Sequence, residues 1–140
     1  IDRHLKGANP SGHSVTQRLE FYKAAFAIVL KNPVTGTGTG DVRNAFDLQY
    51  ETSGTPLTPE YRLMAHNQYL TFAITFGIPG VILALILMIS PALLARRRLD
   101  YLFVIFLAII FISMFNDDTF ESAIGTTFFS YFYTLLLLKE

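Results

Sequence analysis

The chain has 140 residues, of which 51% are hydrophobic and 16% are charged, and its formal net charge is zero. Charged residues make up about 25% of an ordinary soluble domain, so this chain is too apolar for that class. Zero net charge gives no basic field for nucleic acid, and the lack of cysteine excludes disulfides, thiolate metal sites and cysteine nucleophiles.

The first predicted element is an amphipathic helix. Residues 1–13 have an irregular pattern with Gly and Asn-Pro breakers. Ser14 followed three residues later by Gln17 has the form of a capping box, which marks a helix start. Apolar residues then recur at helical spacing, so we expect a helix from Val15 to about Lys31.

A glycine-rich turn separates this helix from the next. Asn32-Pro33 ends the first helix, and glycine alternates with threonine over residues 36–40. Such a turn can cradle a phosphate, or it can simply let two helices pack. No strand is predicted before it and no Lys-Ser/Thr follows, so neither a dinucleotide fingerprint nor a P-loop is supported. A second short helix is expected from Asp41 to about Tyr50.

The third predicted helix begins at Thr58-Pro59, because Thr is a good N-cap and Pro suits the first helical position. If this helix runs through His66, then Arg62 and His66 lie four residues apart on one face. Gly77 and Pro79-Gly80 interrupt the apolar run that follows, which predicts a kink or a short outer helix joined to a main span from Val81 to Leu94.

Three apolar runs occupy the C-terminal half: Leu63–Ala95, Tyr101–Phe115 and Ser122–Leu138. In the first, His66 is the only residue that can carry a charge at neutral pH. A membrane-spanning helix needs about 20 apolar residues. We therefore expect an all-α polytopic membrane protein with about three spans, roughly 67–95, 99–115 and 122–138. The two later runs are short, and each also fits a buried helix of a soluble protein.

Charge bias gives an orientation for these spans. The Arg96–Arg98 cluster lies between the first two runs, and basic residues in short loops stay cytoplasmic. Residues 1–65 then form an extracytoplasmic, helical loop region, and residues 66–140 form the transmembrane region. The loop from Asn116 to Glu121 is also placed outside, on the periplasmic side in a bacterium.

Four short motifs follow one another along the chain: an Arg-led helix beginning at Arg18, the run Asn32-Pro33-Val34-Thr35-Gly36-Thr37-Gly38, then His66-Asn67-Gln68-Tyr69-Leu70, and Gly77-Ile78-Pro79-Gly80. In this order they resemble the O-antigen ligase and polymerase-like family of bacterial membrane proteins. The resemblance covers roughly residues 18–95, and the later apolar runs fit the C-terminal end of that family. Many members carry an acidic residue shortly before the last motif, where this chain has Thr75 and Phe76.

The resemblance implies a multi-spanning inner-membrane enzyme. Such enzymes move a glycan from undecaprenyl-diphosphate to an acceptor on the periplasmic face, without a metal or another cofactor. The acceptor is lipid A-core for a ligase and another glycan repeat for a polymerase, and both readings stay open here. A chain that begins at Ile1 is then expected to be the C-terminal portion of such an enzyme. A non-catalytic transporter or flippase subunit in the membrane is the alternative from another class.

Four residues are candidates for the site. We expect His66 to be catalytic, because imidazole exchanges protons near neutral pH and suits the activation of an acceptor hydroxyl. Arg18 and Arg62 are predicted to bind the donor diphosphate, whose oxygens match the guanidinium fork. Asn67 is predicted to contact a sugar or to hold the His66 ring.

Other polar groups have a simpler interpretation. Asp117, Asp118 and Glu121 form an acidic cluster that fits an ordinary outer loop better than a cation site. Arg43, which follows the glycine-rich turn, is the weakest candidate among the arginines.

Overall fold

The computed structural model describes residues 14–94 and 101–138, and within this part it is all-α, as predicted. The five helices are α1 (Ser14–Lys31), α2 (Val42–Ser53), α3 (Gln68–Leu94), α4 (Tyr101–Asn116) and α5 (Ala123–Leu138). The predicted lead-in over residues 1–13 and the basic cluster at Arg96–Arg98 lie outside the described residues.

The first two helices pack against the start of α3. Their shared core consists of buried apolar residues from α1, α2, the loop before α3 and the first turns of α3: Phe21, Ala24, Ala25, Ile28, Val29, Phe46, Tyr50, Leu57, Ala65, Ala73 and Ile74. The Tyr50 hydroxyl donates a hydrogen bond to the carbonyl of Leu63 at 2.7 Å. Burial raises the pKa of Tyr50, which keeps this hydroxyl protonated as the donor.

A break in α3 at Gly77 confirms the predicted kink. Gly77 has φ 72° and ψ 179°, far from helical values. In a continuous helix, the carbonyls of Ile74 and Thr75 would accept hydrogen bonds from residues 78 and 79. At the break the amide of Ile78 is directed elsewhere, and Pro79 has no amide hydrogen to offer. Both carbonyls therefore need other donors.

Residues 32–40, hereafter the glycine turn, meet this need. The amide of Thr37 donates to the first freed carbonyl at 2.7 Å, and the amide of Gly38 donates to the second at 3.0 Å. In return, the amide of Ile78 donates to the carbonyl of Pro33 at 2.8 Å. The glycine turn and the broken helix thus satisfy each other's backbone, which ties the loop region to α3.

The second core lies farther along α3. It joins α3, α4 and α5 through Met88, Phe106, Ile110 and Met114, with several aromatic rings packed around them. Among the described helices, α3 contains one segment, Gln68–Ser90, that is long and apolar enough to cross a membrane. Only 22% of its most apolar stretch is buried, unlike the core helix of a soluble protein.

The two later apolar runs form helices of 16 residues each. At a rise of 1.5 Å per residue they are about 24 Å long, shorter than the hydrocarbon core of about 30 Å. The predicted bounds of all three apolar helices agree with the structure within a few residues, and one of the three passes the length test for a span.

The helix predicted from Pro59 through His66 is wrong. Only Pro59–Tyr61 form a single 3-10 turn, and an irregular segment leads from there to α3. His66 has φ 48°, which no right-handed helix accommodates. The predicted relation between Arg62 and His66, four residues apart on one helical face, therefore does not exist.

The contact between the glycine turn and α3 should depend on the absence of side chains. A Cβ at Gly36 would overlap the carbonyl of Thr75, and one at Gly77 would overlap the carbonyl of Val34; both glycines have positive φ. We expect Gly36→Ala and Gly77→Ala each to lower the free energy of unfolding by about 2 kcal/mol or more. Thermal unfolding of the full-length protein in detergent would measure this.

Gly40→Ala is the matched control, because its Cβ would meet nothing and its φ is not positive. We expect the melting temperature of this variant to stay close to that of the unsubstituted protein. A Gly36→Ala protein as stable as Gly40→Ala would contradict the role given to the close approach.

Candidate functional site

His66 lies immediately before α3, where the two cores meet. It is the one non-glycine residue with positive φ among the described residues, at 48°. Its ring lies beside that of Phe21 on α1, with the centroids 6.4 Å apart. Its Nδ1 lies 3.8 Å from Oδ1 of Asp117, and 46% of its side chain is exposed. The imidazole therefore has an aromatic neighbour and a carboxylate neighbour, and it is accessible to solvent.

The next residue, Asn67, caps α3. Its Oδ1 accepts a hydrogen bond from the amide of Leu70 at 3.1 Å, the geometry of an N-cap. Its Nδ2 donates to the carbonyl of Phe115, near the end of α4, also at 3.1 Å. Asn67 is buried, and both groups of its amide are engaged within the protein. It thus fixes the start of α3, and with it the backbone that carries His66.

Two further contacts hold the loop between α4 and α5 against the first turn of α3. The hydroxyl of Thr71 donates to Oδ1 of Asp118 at 2.5 Å. The backbone amide of Phe120 donates to Oε1 of the fully buried Gln68 at 2.6 Å. These long-range contacts bring the acidic loop beside His66, although about fifty residues separate them in sequence.

His66, Asp117 and Asp118 are close enough to share one cation. One ligand atom from each lies within 4.8 Å of the others. Imidazole nitrogen and carboxylate oxygen suit several divalent metals. One oxygen of Asp118 already accepts the Thr71 hydroxyl, however, and exposed carboxylates commonly cluster in loops without an ion. The same arrangement also suits proton transfer, in which a carboxylate stabilises a protonated imidazole.

Arg18 lies on α1, one turn before Phe21 and Tyr22, and its side chain is exposed. Residues three and four apart share a helix face, so Arg18 lies next to Phe21 and Tyr22 on the surface of α1. The Tyr22 hydroxyl donates to the carbonyl of Phe115 at 3.4 Å, which holds this face against the end of α4.

Arg62 lies at the end of the 3-10 turn. Its Nε donates a hydrogen bond to the carbonyl of Leu57 at 3.2 Å, and its backbone amide donates one to the carbonyl of Pro59. The residue thus stabilises its own loop. Arg62 does not share a helical face with His66, and its described hydrogen bonds are these local ones. That Arg62 binds substrate stays a prediction.

A cavity of about 300 Å³ adjoins this cluster. It lies between the glycine turn and the start of α2 on one side, and α3 and the acidic loop on the other. Its lining residues are Thr39, Gly40, Val42, Arg43, Met64, Thr71, Thr75, Phe76, Asp118 and Glu121. The sequence predicted no shared site for the glycine turn, Arg43 and the acidic loop. Their only link was a predicted position on the same side of the membrane.

A larger and more open groove, of about 1020 Å³, runs along α5 from Thr126 to Leu138. It is mostly apolar, and none of its lining residues belongs to the cluster around His66.

The comparisons with known proteins give one match. A family model described as O-antigen ligase matches residues 4–85, which is more than half of the chain and includes the glycine turn, His66 and the break in α3. No curated protein and no solved structure matches the chain.

The two contacts of Asn67 can be separated by substitution. Asn67→Ala should remove both and lower the free energy of unfolding by about 1–3 kcal/mol, since a cap is lost and a carbonyl loses its donor. Asn67→Ser keeps a cap acceptor but loses the donor to Phe115, so its melting temperature should lie between those of the unsubstituted protein and Asn67→Ala. An Asn67→Ala protein with an unchanged melting temperature would show that the cap does not fix α3.

Proposed function

We propose that this chain, which belongs to the O-antigen ligase family of integral membrane proteins, transfers a glycan from undecaprenyl-diphosphate to an acceptor hydroxyl. The observation that carries the proposal is the position of His66. Its imidazole is exposed at the start of the broken helix α3, with the Asp117 carboxylate 3.8 Å from Nδ1. Family membership supports the handling of lipid-linked glycans in general; the donor, the acceptor and the residue roles are part of the proposal.

The reaction is a single displacement at the anomeric carbon. The acceptor oxygen forms a bond to that carbon while the bond to the diphosphate oxygen breaks, and undecaprenyl-diphosphate leaves with the electron pair. His66 takes the proton of the acceptor hydroxyl, and Asp117 stabilises the resulting imidazolium. A diphosphate is a good leaving group, so the step needs a base more than it needs an acid. The product has the inverted anomeric configuration.

Arg18 is proposed to hold the donor diphosphate. A guanidinium pairs with two phosphate oxygens at once and stabilises the charge that grows on the leaving group. Its support is the exposed position on the face of α1 that carries Phe21, the aromatic neighbour of His66. No metal and no other cofactor has a part in this scheme.

The membrane arrangement is proposed on the same basis. α3 is long and apolar enough to span, and α4 and α5 expose many large apolar side chains. We propose a polytopic protein of the bacterial inner membrane, with residues 1–65 in the periplasm and residues 66–140 in and around the bilayer. Membrane lipids would then cover the apolar surfaces, and lipid A-core or another glycan would approach from the periplasm.

The polymerase reading uses the same site and differs only in the acceptor, which would be another glycan repeat. The product separates the two. Cells that lack a ligase attach no glycan, whereas cells that lack a polymerase still attach single repeats.

His66→Ala in the full-length protein should abolish glycan attachment in cells that otherwise lack the gene, at unchanged expression. Loss of a general base costs about 10²–10⁴ in rate. Asp117→Asn should have a smaller effect in the same direction. Glu60→Gln, an exposed residue of the 3-10 turn, is the control and should stay active. Attachment that survives His66→Ala would refute the role of the histidine, and a transporter or flippase subunit would then fit better.

Transfer should also survive removal of divalent metals. We expect the purified full-length enzyme to keep its activity after dialysis against EDTA, because His66 acts by proton transfer and not as a metal ligand. Activity lost to EDTA and restored by Mg²⁺ or Mn²⁺ would instead assign His66, Asp117 and Asp118 to a metal centre.

A further inference from the structure

The cavity beside His66 has the construction of a binding site for one polar ligand. Its floor is formed by the buried residues Thr71 and Thr75 of α3, and its rim carries the exposed residues Thr39, Arg43 and Glu121. At about 300 Å³ its volume lies at the lower limit of small-molecule sites, suited to one sugar unit and not to a chain.

Asp118 links this cavity to the proposed chemistry. It lines the cavity, and its carboxylate lies within 4.8 Å of the nearest imidazole nitrogen of His66. His66 itself does not line the cavity, so Asp118 is the residue that connects the cavity to the imidazole. The donor diphosphate has its proposed ligand, Arg18, on α1, and α1 does not line the cavity.

The charges in the lining favour an uncharged ligand. Asp118 and Glu121 each carry a carboxylate, while Arg43 is the single cation among the lining residues. The Nε of Arg43 also lies 3.3 Å from Oδ2 of Asp47, a carboxylate that does not line the cavity and offsets part of the positive charge. The lining is therefore net negative. Its carboxylates accept hydrogen bonds from sugar hydroxyls and repel an anionic sugar.

We propose that this cavity is the subsite for the terminal sugar of the acceptor, and that its carboxylates select an uncharged sugar over an anionic one. This proposal rests on the proposed glycan transfer. It specifies where the acceptor sugar binds and which charge that sugar has. The exposed face of Phe76, 49% exposed, forms an apolar wall for the ring of that sugar.

Cysteine protection tests the subsite directly, because this chain contains no cysteine of its own. Thr39→Cys is introduced into the full-length protein, any cysteines elsewhere in that protein being replaced first, and its alkylation by N-ethylmaleimide is timed. The probe is an uncharged trisaccharide of hexoses, which stands in for the outer end of the acceptor. Its matched partner is the same oligosaccharide with the terminal primary hydroxyl oxidised to a carboxylate. Glu51→Cys, exposed on α2 and not part of the cavity lining, is the control.

We expect the neutral oligosaccharide to slow alkylation of Thr39→Cys at least threefold and the oxidised one to have little effect at the same concentration. Neither should change the rate at Glu51→Cys. If the neutral probe gives no protection, the subsite assignment is wrong. If both probes protect equally, the charge selection is wrong.

Kinetics of Glu121→Gln supply an independent readout. Loss of one charged hydrogen-bond acceptor should raise the KM for the neutral acceptor about tenfold, more than it lowers kcat, and should weaken discrimination against the oxidised acceptor. Glu51→Gln should change neither. A Glu121→Gln enzyme that keeps the original KM and the original discrimination contradicts the assignment.

The two proposals fail in different ways. In the Thr39→Cys protein, adding His66→Ala should abolish transfer but leave protection by the neutral oligosaccharide. Transfer that survives His66→Ala refutes the proposed chemistry, whatever the protection shows. Protection absent from a protein whose transfer does depend on His66 refutes the subsite alone.

Discussion

The exchange of backbone hydrogen bonds at Gly77 is the contact on which the rest of this structure depends. A broken helix leaves carbonyls without donors, and each unsatisfied group costs several kcal/mol where water is absent. Here the glycine turn supplies the amides of Thr37 and Gly38 and takes back the amide of Ile78. The loop region therefore completes α3 instead of merely resting on it, and neither part has a satisfied backbone without the other.

This coupling explains why the candidate site lies at one junction. The core around Phe21 and Ile74 fixes α1 and α2 against the start of α3. Asn67, Gln68 and Thr71 then hold the end of α4 and the acidic loop against the same turn of helix. Groups from three separate parts of the chain meet at His66, because each is bonded to residues within five positions of it.

Much of this architecture follows from local sequence rules. The bounds of most helices, the glycine turn, the break at Gly77 and the family were predicted, because helical periodicity, Gly and Pro act over a few residues. Two helix-start signals, however, lie close together, at Thr58-Pro59 and at Asn67. The first produces only a 3-10 turn, while Asn67 forms the cap of a long helix held by tertiary contacts. The proximity of His66, Asp118 and Arg43 depends on pairs of segments tens of residues apart. Hydrophobic periodicity within one segment does not predict which distant segments come into contact.

The backbone at His66 has a consequence for how such a site evolves. A φ of 48° is easiest for glycine and asparagine, and histidine tolerates it at some energetic cost. Selection for stability alone would favour glycine or asparagine at this position. Under the proposed function, a histidine at this position gives up some folding stability in exchange for an imidazole that can accept a proton.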